Sequence, residues 1–139
     1  MKPYQIALQE YGTKSISGVF SNAKVLRYFK EIGQTWVKDD DTAWCAAFVN
    51  WCIKQSAGYG TGSLSARSFL SYGLKTTTPE LGDIVVLWRI SRESPYGHVG
   101  FYINETKDFI NILGGNQSGE VNIKSFAKTQ LLDYRKTPA

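Results

Sequence analysis

The stretch DDDTAWCAAFVNWCIKQSAG, residues 39–58, decides how the rest of this chain is read. Trp44, Phe48, Trp51 and Cys52 recur at the intervals that line up one face of an α-helix. Gly58 supplies a stop and Asp41 a cap for the start. Cys45 then falls in the first turn, where backbone N–H groups lack intrahelical partners and the positive end of the macrodipole lies. A thiol attacks only as thiolate, and that position favours the anion. Cys52 sits two turns further along, outside this field. On a helix the two Cα atoms would be about 10 Å apart, too far for a disulfide, so both are expected as free thiols.

Working outward, apolar spacing predicts helices over residues 3–11, through Ile6, Leu8 and Tyr11, and over 22–32, through Val25, Leu26, Phe29 and Ile32. Ser21 or Asn22 could cap the second, and Gly33 could end it. Downstream, GYGTGSLSARS (58–68) reads as a connection and 65–72 as a short helix. Beyond Pro79 the pattern changes to strands, expected at 83–90, 98–104, 109–115, 120–125 and 131–135 and read as a meander. Helices followed by antiparallel strands make an α+β pattern, with N-terminal helices packed on a C-terminal antiparallel β-sheet. A length of 139 residues, 42% of them hydrophobic, suits one core, so a single domain over 1–139 is expected.

Sixteen Lys and Arg against 12 Asp and Glu give a net charge of +4, which suits a polyanionic partner. The basic residues are scattered singly, and no zinc-finger, RNP or phosphate-loop pattern occurs, so nucleic acid is not an expected partner. One His and two Cys in this arrangement make no zinc site, and neither a metal nor an organic cofactor is expected. Apolar runs fall short of a membrane span. The opening MKPYQIALQEYG carries Gln5, Gln9 and Glu10 where a secretory signal needs an apolar stretch, so synthesis in the cytoplasm is expected.

His98 is the single histidine and starts a strand in GHVGFYI. A lone Cys in an apolar helix is ordinarily a small buried hydrophobe, and a lone His an ordinary polar residue. A helix-initial Cys combined with a strand-initial Gly-His-Val points instead to a nucleophile and its general base. A third group must orient the imidazole. If Asn104 and Asp108 close the next hairpin, His98 faces Gly114 and Asn116 lies diagonally on the same face, with the glycine leaving room for its amide. A register slip of one residue would present Gln117 instead. Trp36, Trp88, Tyr96 and the GTGSLSARS loop (60–68) are candidates for a substrate groove.

The segments DDDTAWCAAFVNW, LGDIVVLW, GHVGFY and LGGNQS, in this order over roughly residues 35–135, resemble the CHAP and NlpC-type cysteine amidases and peptidases of the papain-like superfamily, especially small phage-endolysin-like members. The resemblance implies a papain-like fold and hydrolysis of an amide bond in bacterial peptidoglycan, by an N-acetylmuramoyl-L-alanine amidase or an endopeptidase cutting stem peptides or cross-bridges. Carried over by position, Cys45 is the nucleophile, His98 the base and Asn116 the orienting group. The chain departs from the pattern at Trp44 and Ala46, which flank the Cys, and at Gly114, where many CHAP members carry an orienting Glu. The implied setting is the cell wall or periplasm, reached in phage lysis or through specialised secretion, by a monomer with a possible immunity or delivery protein. The same fold could also serve as an inert module binding wall fragments or a protein, or as an acyltransferase or peptidase with a protein substrate.

Overall fold

The computed structural model describes residues 1–16, 22–37 and 43–138; Ser21 and the run Asp39, Asp40, Asp41, with its expected cap, lie outside them. Three α-helices form on the signals in the sequence: α1 (Pro3–Gln9), α2 (Ala23–Glu31) and α3 (Cys45–Gln55). Pro3 opens α1, where its missing N–H costs nothing. Asn22 caps α2, its Oδ1 accepting the Lys24 N–H at 2.8 Å. In α3 every residue from Cys45 to Ile53 is buried, so this helix is the centre of the core. Its apolar stripe packs on Tyr28 of α2, whose ring centroid lies 5.0 Å from that of Phe48 and 4.8 Å from that of Trp51. Such aromatic pairs contribute about 0.5–1.5 kcal/mol each beyond simple area burial. Among the described residues no helix is long and apolar enough to cross a membrane.

The second half forms a six-stranded antiparallel sheet from β1 (Leu74–Thr76), β2 (Ile84–Trp88), β3 (Gly97–Glu105), β4 (Phe109–Gln117), β5 (Glu120–Ala127) and β6 (Leu131–Lys136), in the order β1-β6-β2-β3-β4-β5. The α+β expectation therefore holds, but the meander does not. After β5 the chain makes a 3-10 turn at Lys128–Gln130, and β6 returns to pair with β2, Tyr134 opposite Val85. The burial of β2 explains the return. Ile84 and Val86 face the helices, while Val85 and Leu87 pack with Tyr102, Ile110, Ile112 and Tyr134 in a second cluster. A strand buried on both faces cannot leave one edge of its backbone without hydrogen bonds. β1, which the sequence reading missed, is a three-residue edge strand without apolar alternation.

Candidate active site

Cys45 is the first residue of α3, and the backbone amides of Ala46 and of Val99 on β3 act on its sulfur in favour of the thiolate. Burial, the largest single influence, pushes its pKa up; the charge of His98, a hydrogen bond with that imidazole and the two amides outweigh it and hold the thiol below its ordinary 9.0. Cys52 is acted on by no imidazole, and its own backbone amide is the smallest of the influences on it. Burial first, and the charge of Glu10 second, push it well above 9.0, and both cysteines are free.

His98 pairs across β2 with Leu87, and its ring stacks on Phe126 at a centroid distance of 5.1 Å. Its Nε2 lies 3.0 Å from Oε1 of Gln117. The surroundings of Gln117 fix which way this bond runs. Its Nε2 faces three acceptors, the carbonyl oxygens of Ile112 and Asn122 at 3.0 and 2.8 Å and Asn122 Oδ1 at 3.0 Å. The amide oxygen must therefore point at the imidazole, so His98 donates from Nε2–H and keeps Nδ1 for Cys45. Burial alone would lower the pKa of His98; the charge of Cys45 and the hydrogen bonds to Cys45 and Gln117 outweigh it, against a smaller opposing effect of Arg89, and hold it above 6.5. A lowered thiol beside a raised imidazole is the signature of a thiolate–imidazolium pair.

The structure thus brings Gln117, the alternative in the sequence reading, to His98, and not the favoured Asn116. The β3–β4 hairpin does not close between Asn104 and Asp108. Thr106 and Phe109 close it around Lys107 and Asp108, with the Thr106 N–H donating to the Phe109 carbonyl at 2.8 Å. Further along, Phe101 pairs with Leu113 and Tyr102 with Ile112. The decisive feature is a bulge between Gly114 and Gln117, where Asn116 adopts φ +57°. A bulge interrupts the alternation of side chains and re-aims the next one, here Gln117. A two-residue turn follows, Ser118 at φ +55° and Gly119 at φ +78°, with Gln117 opposite Glu120. The role foreseen for Gly114 survives with a different beneficiary: a Cβ there would lie 2.6 Å from Oε1 of Gln117.

Two hollows flank the pair. The larger, about 510 Å³, is lined by Cys45, Ala43, Leu64, Ser65 and Ala66 on one side and by Arg89, Ile90 and Pro95 to Gly97 on the other. Asn50, buried in α3, secures the first wall by accepting the N–H groups of Thr61 and Gly62 at 2.7 and 3.2 Å. Arg67 secures the second by donating to the carbonyls of Tyr96, Arg92 and Ser91 at 2.9, 3.0 and 3.1 Å. Ile90 stands on this wall 81% exposed, with φ +70°. A β-branched residue is strained in that conformation. The smaller hollow, about 160 Å³, lies beside His98 and Gln117.

Of the groove candidates, Tyr96 lines the Cys45 cleft, as do Leu64, Ser65 and Ala66 of the 60–68 loop. Trp88 instead donates its indole N–H to the Thr129 carbonyl at 3.0 Å, and Trp36, 63% exposed, donates to Gln34; neither lines these hollows. Arg67 belongs to the 60–68 loop already named as a groove candidate, whereas Arg89, Ile90 and Phe126 were not expected at the site. No motif marks them, because they come together through the 89–97 loop and the stacking of β5 against His98.

The family model of the CHAP domain matches residues 37–116, more than half of the chain. No curated protein gives a significant match. The matched span takes in α3, β2, β3 and nearly all of β4, ending one residue before Gln117. CHAP domains are in general cysteine- and histidine-dependent hydrolases. The helix-initial Cys, the strand-initial His and the sheet that joins them fall inside that span, and the chain belongs to the CHAP domain family.

Proposed function

We propose that this protein is a peptidoglycan hydrolase that cleaves an amide bond, as an N-acetylmuramoyl-L-alanine amidase or a stem-peptide or cross-bridge endopeptidase, with Cys45 as nucleophile, His98 as general base and Gln117 as the residue that orients the imidazole. The observation carrying this reading is the tautomer: Gln117 commits Nε2 of His98 to its own oxygen, so Nδ1 faces a thiol whose pKa is held down. The proton of Cys45 passes to Nδ1, and the thiolate attacks the amide carbonyl carbon. The resulting oxyanion can draw on the Cys45 N–H, an orphan donor at the start of α3. The tetrahedral intermediate collapses with cleavage of the C–N bond, His98 returning its proton to the leaving amine. A water deprotonated by His98 then hydrolyses the thioester, releasing the acid and regenerating the thiol. Action on the wall in phage lysis or as a delivered antibacterial effector fits this substrate.

Digestion of purified sacculi, with mass spectrometry of the released muropeptides, tests the reading. Wild-type protein releases fragments whose new termini identify the bond cut, and Cys45→Ala releases none while keeping the native circular dichroism spectrum. Equal release by the folded variant would overturn the assignment.

A further inference from the structure

The hollow beside His98 carries two cations, Arg89 and Lys124, and no carboxylate among its lining residues. Elsewhere the arginines are spoken for: Arg27 and Arg135 form ion pairs, Arg67 braces the 89–97 loop and Arg92 donates to the Leu131 carbonyl. Among the described residues Arg89 alone of the five has neither an ion pair nor a side-chain hydrogen bond. Lys124 donates to Ser118 Oγ at 2.9 Å and lies over the Phe126 ring, and among the described residues it has no acidic partner. Around them stand the neutral groups of Asn116, Ser118 and Gln130. A volume of about 160 Å³ holds roughly five waters, or a carboxylate on a short side chain. Arg89 also lines the Cys45 cleft, so an anion held by it would belong to the molecule whose amide meets the thiol.

We propose that Arg89, with Lys124 beside it, binds a free carboxylate of the substrate peptide close to the scissile amide, and so selects stem peptides with that carboxylate over those in which it is amidated. A guanidinium presents paired donors that match a carboxylate, which an amide cannot replace with two acceptors. The proposal rests on the hydrolase reading and names its substrate class. It also has an electrostatic consequence. The unpaired charge of Arg89 acts against the imidazolium of His98, and a bound carboxylate cancels that charge, strengthening the thiolate–imidazolium pair when substrate arrives.

Two synthetic N-acylated stem peptides, identical except for free or amidated carboxylates, provide the test. Wild-type protein should cleave the free form with at least tenfold higher kcat/KM. Arg89→Gln should remove that preference by slowing the free form far more than the amidated one, and should move the alkaline limb of the pH profile upward. Arg89→Lys should restore part of the preference. Equal wild-type rates on both peptides, or a preference that survives Arg89→Gln, would overturn the proposal. Calorimetric binding of the same peptides to Cys45→Ala, with and without Arg89→Gln, separates the two readings. Carboxylate-dependent binding lost with Arg89, but no cleavage by wild type, would sink the hydrolase assignment and keep the site; cleavage without carboxylate-dependent binding would do the reverse.

Discussion

Cys45 and Cys52 lie on one helix and are both buried, yet their thiols are driven in opposite directions. Burial raises both. What separates them is what else reaches the sulfur: at Cys45 an imidazole and two backbone amides, at Cys52 the negative charge of Glu10 with only its own amide against it. The sequence position of Cys45 therefore matters because it brings α3 to the start of β3, where His98 and the Val99 N–H are waiting. The helix start supplies a location, and its partners on the sheet supply the activation.

The largest way to break the comparison is substitution of the thiols themselves. Cys45→Ala should abolish release of muropeptides from sacculi, whereas Cys52→Ala should keep it and lose about 1 kcal/mol of stability to a small cavity, read by urea denaturation. Gln117→Ala should come next, lowering kcat/KM by about 10- to 100-fold, less than the roughly 10⁴-fold expected for loss of a charged His-orienting partner. Gly114→Ala should reproduce much of that loss, because its Cβ displaces the Gln117 oxygen. Asn116→Gly should leave the rate unchanged, since glycine accepts the left-handed backbone at this position. Comparable losses for Asn116→Gly and Gln117→Ala would contradict the bulge-based assignment.

The pH profile sharpens the comparison further. Cys45 is held below 9.0, so kcat/KM should rise as the thiolate forms at a pH below that value; His98 is held above 6.5, so the pair should persist past that pH and fail only as the imidazolium loses its proton. The smallest effect lies on the cleft wall. Ile90→Gly should relieve a strained β-branched backbone and stabilise the fold by about 1 kcal/mol, read as a raised urea midpoint with no change in m, while altering KM for substrates that touch the wall.

Much of this was legible in the chain. The period of Trp44, Phe48, Trp51 and Cys52 located α3 and with it Cys45, and the lone histidine at the head of GHVGFYI located the partner. The five longer strands were marked by apolar runs between turn residues. What escaped was non-local or local in unusual ways. The pairing of β6 with β2 is a long-range choice set by burial of both faces of β2. Asn116 was favoured over Gln117 because a regular pleat was assumed, and a bulge leaves no signature beyond a pair of glycines and a residue tolerant of positive φ. Arg89 joins the site through a loop conformation that no spacing encodes.

The central claim is that His98, held by Gln117, makes Cys45 unlike Cys52. The most direct test is the pH dependence of iodoacetamide labelling at each cysteine, followed by peptide mass spectrometry in wild type and His98→Gln. In wild type Cys45 should label selectively, with a midpoint below 9.0, and Cys52 should stay unmodified while the fold is intact. In His98→Gln burial is left with less opposition, and the Cys45 midpoint should move upward, toward the behaviour of Cys52. A Cys45 midpoint that is the same in both proteins would contradict the account.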